Sequence, residues 1–190
     1  MRKAGNNLLL LLAGLAVGIG LGVLLLVSCG LGGYLISSQV VKSGAEDETL
    51  PKVGMEAPDF RLTSIYGESM RLSELHSRAV MLNFWASWCG PCVDEMATLQ
   101  AYAEKYAQGL IILGINADEP RRDVVDFVEQ HSLSFPILLD PDSRVQNLYN
   151  IRAFPTSYFI DQDGFVRAFH IGVLSASLLD GYLEEIGVGE

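Results

Sequence analysis

Five residues, Trp88-Cys89-Gly90-Pro91-Cys92, constrain the fold of this chain more than any other stretch. They follow a run of strand-formers, Ala79 to Trp85, and precede a helical stretch, Val93 to Gln108. The two cysteines therefore sit where a buried strand hands over to a helix. At a helix N-terminus, unpaired backbone N–H groups and the helix dipole favour an anion. A thiolate is such an anion, and only the thiolate is a nucleophile. Two intervening residues bring the second sulfur within bonding reach once the helix forms, so the pair can cycle between dithiol and disulfide.

A static disulfide and half a zinc site are the plainer readings of the pair. A structural zinc site needs four ligands. The one other cysteine, Cys29, lies in an apolar run, and His76, His131 and His170 are far apart in sequence. A static bridge requires neither the tryptophan before it nor the strand and helix around it. No metal is expected, and redox chemistry is the better reading.

Leu8 to Val27 is a run of twenty uncharged residues, and weaker apolar character continues to Ile36. A helix of that length crosses a bilayer. Arg2 and Lys3 precede it, and Lys42 with Glu46, Asp47 and Glu48 follow, so the positive-inside rule leaves the N-terminus cytoplasmic and the rest outside. A cleaved signal peptide has a shorter apolar core, of about 7–15 residues. Leu26-Val27-Ser28-Cys29 also resembles a bacterial lipobox, although the sequence stays apolar after Cys29. Gly14, Gly18 and Gly22 share one helix face, a spacing that admits a second helix, while glycine is in any case common in such spans. The expected organisation is a cytoplasmic tip and anchor over 1–42, a linker over 43–52 and one globular domain over 53–190.

Residues 1–42 hold three of the 13 basic residues and none of the 23 acidic ones, so the remainder has a net charge of −13. That excludes nucleic acid as a natural partner.

Along the chain, Phe60-Arg61-Leu62 and Ser69-Met70-Arg71 suggest paired strands around Tyr66-Gly67, and Ser73 is placed to cap a short helix over Glu74 to His76. Ala79 to Trp85 and Leu110 to Ala117 are near-continuous apolar runs, as strands covered on both faces should be. Pro120 starts a helix, Pro136 to Leu139 is a third such strand, and Val145 to Tyr149 a short helix. Thr156–Ile160 and Phe165–His170 form a hairpin, and Ser175 caps a last helix to Ile186. The pattern is α/β with a mixed sheet.

Residues 53–187 resemble the thioredoxin superfamily, and more closely its membrane-anchored TlpA/ResA group. The resemblance is carried by Gly54-x-x-Ala57-Pro58-x-Phe60, by Leu82-Asn83-Phe84-Trp85-Ala86-Ser87-Trp88-Cys89-Gly90-Pro91-Cys92 and by Phe154-Pro155-Thr156. It implies a three-layer thioredoxin-like fold with an additional helix and strand over Arg121 to Asp140, behind a single N-terminal transmembrane helix. It also implies an extracytoplasmic thiol–disulfide oxidoreductase on the cell membrane, commonly a reductant. The implied partners are disulfides of exported proteins, apocytochrome c among them, and a membrane electron donor fed by cytoplasmic thioredoxin. No cofactor is implied beyond the redox-active Cys89–Cys92 disulfide.

The resemblance also assigns roles. Cys89 matches the attacking cysteine and Cys92 the resolving one. Trp88, Gly90 and Pro91 frame the substrate side, and Pro155 matches a cis-proline that lets Phe154 offer its backbone to substrate. Asn83 stands where thioredoxin has a buried aspartate. Glu95 matches a glutamate three residues after the second cysteine, on the helix face shared with Cys92. Buried there, it is expected to have a raised pKa and to relay a proton; a solvated helix glutamate is the plainer alternative. Ala97 replaces a helix-kinking proline of the group, which leaves the straightness of the helix open. Two rival functions stay open. Ala57-Pro58-x-Phe60 is shared with peroxiredoxins, although Ala86 stands where those AhpC/TSA-type peroxidases carry Thr or Ser. A non-catalytic membrane adaptor is the other.

Overall fold

The structure is a computed structural model and describes residues 51–189. The expected apolar span, the Cys29 lipobox, the glycine face and nearly all of the linker lie outside the described residues. Among the described residues, no helix is long and apolar enough to cross a membrane.

Seven strands form one sheet: β1 (Arg61–Ser64), β2 (Ser69–Arg71), β3 (Ala79–Trp85), β4 (Leu110–Ala117), β5 (Ile137–Asp140), β6 (Thr156–Ile160) and β7 (Val166–Ile171). Their spatial order is β2-β1-β5-β4-β3-β6-β7. β3, β4 and β5 run parallel, and β6 pairs antiparallel with β3. β1, β2 and β7 are also antiparallel to their neighbours, so the sheet is mixed, as the sequence suggests. β3 is buried at every position, which its continuous apolar run requires of a strand covered on both faces.

Among the described residues, four α-helices accompany the sheet: α1 (Gly90–Lys105), α2 (Arg121–Gln130), α3 (Arg144–Leu148) and α4 (Ala176–Glu185). One core holds Met81, Trp85 and Phe159 with residues of α1, α2 and α4. The other holds Leu82, Phe84, Ile115 and Tyr158 with Val145, Tyr149 and the N-terminal Phe60. Alternation along β3 sends Met81, Asn83 and Trp85 to the first face and Leu82 and Phe84 to the second. The additional helix and strand are α2 and β5.

α1 begins at Gly90 because Cys89 is still extended (φ −87°, ψ 100°) and acts as the N-cap. Pro91 in the first turn lacks only an N–H that would have no helical partner there. The helix buries Cys92, Glu95, Met96 and Leu99, a one-sided stripe at i, i+3, i+4 and i+7. Removing the Leu99 side chain to alanine would cost about 2–5 kcal/mol. α1 runs unbroken through Ala97 and ends at Lys105, three residues before the expected Gln108.

Ser73 does not cap a helix. The short 3₁₀ turn spans Leu72–Leu75, and Arg71 precedes it without a side-chain cap. Ser73 instead donates from its backbone N–H and hydroxyl to the Asp59 carboxylate. Ser175 does cap α4, its Oγ accepting from Leu178 N–H. Gly164, at φ +88°, takes the left-handed position in the β6–β7 turn.

Candidate functional site

The site forms where β3 ends. Ala86 to Trp88 leave the strand, and Cys89 N–H donates back to Ala86 C=O at 3.2 Å. This turn is held from the neighbouring strand end. Glu119, two residues beyond β4, accepts from Ser87 N–H at 2.7 Å and from the Ser87 hydroxyl. Its Oε2 also accepts from Nδ2 of the buried Asn116 at 2.6 Å. Ser87 belongs to the Leu82–Cys92 stretch quoted above, but neither Glu119 nor Asn116 stands out in the sequence.

Cys89 and Cys92 form a disulfide with their Cα atoms 5.2 Å apart. Cys92 is 0% exposed and Cys89 6%. Cys89 Sγ accepts from Cys92 N–H at 3.2 Å. A thiolate formed at Cys89 would therefore sit in the field of the first-turn N–H groups of α1.

Trp88 is 69% exposed beside this pair. Its ring meets Phe154 edge-on, with centroids 5.9 Å apart. The Phe154–Pro155 peptide is cis. Pro155 C=O accepts from Gly172 N–H at 2.8 Å, and Thr156 Oγ1 donates to Ala153 C=O. The backbone of Phe154 has no hydrogen-bond partner among the described residues. Gly90 and Pro91 are both exposed at the helix start. Of the residues expected from the sequence, Trp88 precedes Cys89 and meets Phe154, Gly90 and Pro91 lie between the cysteines, and Pro155 follows Phe154 through the cis peptide.

Glu95 is 1% exposed, one turn after Cys92 on the buried face of α1. Its Oε1 accepts from Asn83 Nδ2 at 2.7 Å, and its Oε2 from Leu174 N–H at 2.9 Å. Asn83 Nδ2 donates also to Ser157 Oγ at 3.1 Å. Asn83 Oδ1 is buried without a partner among the described residues. Burial raises the Glu95 pKa above the ordinary glutamate value, and the bonds from Leu174 and Asn83 offset only part of that rise. A carboxyl so placed keeps its proton to higher pH than an exposed glutamate does. It is not a solvated helix glutamate.

The histidines do not gather. His131 lies against Phe127, His170 lies beside Tyr182, and His76 packs under Gly164.

Residues 53–169 match the model of the AhpC/TSA family. The chain is 34% identical over 165 residues to the thiol-disulfide oxidoreductase ResA of Bacillus cereus, which covers 86% of this chain and 93% of the relative. It is 38% identical over 141 residues to the ResA of Geobacillus kaustophilus, covering 74% and 81% respectively. Among solved structures it is similar to a Chlorobium tepidum protein assigned as the thiol:disulfide interchange protein DsbE. That match has a TM-score of 0.64 and 34% identity, and covers 73% of this chain and all of the other.

Proposed function

We propose that this chain, which belongs to the AhpC/TSA family and within it to the thioredoxin-like ResA/TlpA group of thiol–disulfide oxidoreductases, reduces disulfides of exported polypeptides at Cys89 and Cys92. The observation that carries the reading is the placement of Cys89. Its sulfur caps α1 at the mouth of the site, and Cys92 lies sealed one turn behind it.

In the dithiol form, Cys89 as thiolate attacks one sulfur of the substrate disulfide. An S–S bond forms between Cys89 and that sulfur, and the other substrate sulfur leaves as a thiolate and takes up a proton. Cys92 then loses its proton and attacks Cys89 Sγ. The mixed disulfide breaks, the substrate leaves fully reduced, and two electrons have passed from the pair to the substrate. Glu95, ionised, accepts the Cys92 proton during the second attack; protonated, it supplies one to a leaving sulfur. The unpaired Phe154 backbone and the Trp88 ring position the substrate strand. The Cys89–Cys92 pair is the redox group, and no further cofactor is needed.

The setting we propose is the outer face of the cell membrane, with residues 8–27 as the single anchor. Apocytochrome c is one candidate substrate, and a membrane protein fed by cytoplasmic thioredoxin returns the electrons. The basic pair Arg2 and Lys3 before an uncharged run supports that topology. An alkaline phosphatase fusion after residue 45 is expected to be active; an inactive fusion alongside a working cytoplasmic reporter reverses it. The reaction is tested by the reduced full chain acting on insulin disulfides and on hydrogen peroxide in parallel. Rapid insulin reduction with negligible peroxide consumption is expected, since Ala86 offers no hydroxyl to a peroxide. The opposite pattern would make the chain a peroxidase, and inactivity in both would favour an adaptor.

A further inference from the structure

A second concave surface lies outside the disulfide region, on the sheet face opposite α1. It has a volume of about 570 Å³ and lies between the chain entry at Pro51–Val53, the Asn150–Arg152 turn and the outer faces of β6 and β7. Val53, Phe169 and Ile171 line it while 56%, 46% and 60% exposed, with Tyr158 stacked against Phe169 as part of its floor. Among the described residues, no side chain covers these three exposed apolar groups.

Three observations identify what it fits. The first is charge. Lys52 and Arg152 line the groove and no acidic side chain does, although this part of the chain is strongly acidic. Neither cation forms a salt bridge among the described residues. The second is continuity. Arg152 lies two residues before Phe154, and Thr156, also in the lining, directly follows Pro155. A polypeptide crossing the Phe154–Pro155 turn is thereby delivered to the groove. The third is the sheet edge. β7 is the last strand, and on its outer side only Val166 is paired, to Gly54 and Met55. Its remaining edge can accept the backbone of an extended segment, which a compact small molecule could not exploit.

We infer that this groove binds an extended segment of the polypeptide substrate, apolar and flanked by carboxylates, beyond the cysteine under attack. This deepens the proposed reductase function and rests on it for the identity of the occupant. Affinity then comes from a segment distant from the reacting sulfurs, and it selects among disulfide proteins by sequence. An exposed β-branched and aromatic segment with neighbouring acidic residues is the favoured ligand.

The test is binding, read without turnover. A fluorescein-labelled, cysteine-free octapeptide of valine, threonine and phenylalanine with two glutamates is titrated with the oxidised full chain in detergent micelles. A second peptide carries lysines in place of the glutamates. Fluorescence anisotropy is expected to show the glutamate peptide binding about tenfold more tightly. Arg152→Glu and Ile171→Ser should each weaken it about tenfold, with circular dichroism confirming the fold of both. Arg122→Glu, which changes an exposed cation on α2, should leave it unchanged. Equal binding of the two peptides, or no loss in both groove variants, overturns the inference. So does binding that emerges only after deletion of residues 43–50, because the groove would then belong to the chain's own acidic Glu46–Glu48 segment. Because the readout needs no redox step, failure to reduce insulin and failure to bind the peptide are separate results.

Discussion

Asn83 donates through Nδ2 to Glu95 Oε1 at 2.7 Å, joining β3 to the helix that Cys89 caps and that carries Cys92. Both residues are almost completely buried. The amide holds the carboxyl in place without bringing a second charge, as the aspartate of thioredoxin would at that position. Its Oδ1, unpartnered among the described residues, is available if the amide turns over.

That pair gives a pH-dependent stability. The Glu95 pKa is raised in the fold by burial, so its neutral form is favoured in the native state. The contribution is fully present below the ordinary value of 4.5 and is lost as pH rises through the raised native value. Glu95→Gln removes that titration. After a turn of the Asn83 amide, the introduced glutamine can donate to Asn83 Oδ1 while still accepting from Leu174 N–H. Wild type should therefore lose stability relative to Glu95→Gln as pH rises from 4.5 through the raised native value, measured as the gap in urea midpoints. A gap that stays flat or moves the other way contradicts the burial argument. The insulin-reduction pH profile of the variant should also shift; overlay with wild type from pH 5 to 9 would strip Glu95 of its relay role.

The two thiols should differ in reactivity. Cys89 caps α1 and retains some exposure, whereas Cys92 has none. Brief iodoacetamide treatment of the reduced full chain near neutral pH, followed by peptide mass spectrometry, should find Cys89 labelled at least tenfold faster. Equal labelling, or faster labelling of Cys92, reverses the assignment of attacker and resolver.

Glu119 should be a positioning residue for the turn before Cys89. Glu119→Ala strands Ser87 N–H and the buried Asn116 amide at once, which costs roughly 1–3 kcal/mol for each donor left unsatisfied. Glu119→Gln keeps an acceptor and should recover most of that stability in thermal melts. A role confined to stability predicts wild-type kcat/KM for the folded alanine variant. Positioning predicts a several-fold loss with insulin, restored in the glutamine variant.

Gly114 lies at the centre of β4, opposite Asn83 in register. A Cβ there would stand 2.6 Å from Ile137 Cδ1 and 3.0 Å from Trp85 Nε1. Gly114→Ala is expected to destabilise the domain by about 1–3 kcal/mol through overpacking, read in chemical denaturation. A neutral result would mean that Ile137 and Trp85 can move aside together.

What the sequence disclosed follows from the range of each interaction. β3 and β4 were legible because burial on both faces writes a continuous apolar run. The Ser175 cap was legible because it closes over three residues. Ser73 misled because its competitor, Asp59, lies 14 residues upstream and captures the hydroxyl. The environment of the cysteines was less legible still. Ser87 meets Glu119 across 32 residues, Asn83 meets Ser157 across 74, and Glu95 meets Leu174 across 79. No local periodicity encodes such pairings. The cis peptide before Pro155 came from family resemblance, because the residues alone favour trans.

The residues that open the domain have a mechanical consequence. Gly54 N–H bonds Val166 C=O, Val166 N–H bonds Met55 C=O, and Ala57 N–H bonds Gly164 C=O, so the incoming chain is stitched to the outermost strand. Tension arriving from the N-terminal side is borne first by these three bonds and by β7. Between that load and the cysteines stand β6 and the full length of β3. A pull on the N-terminal side of the domain is taken up there while the geometry of the sulfur pair stays at rest.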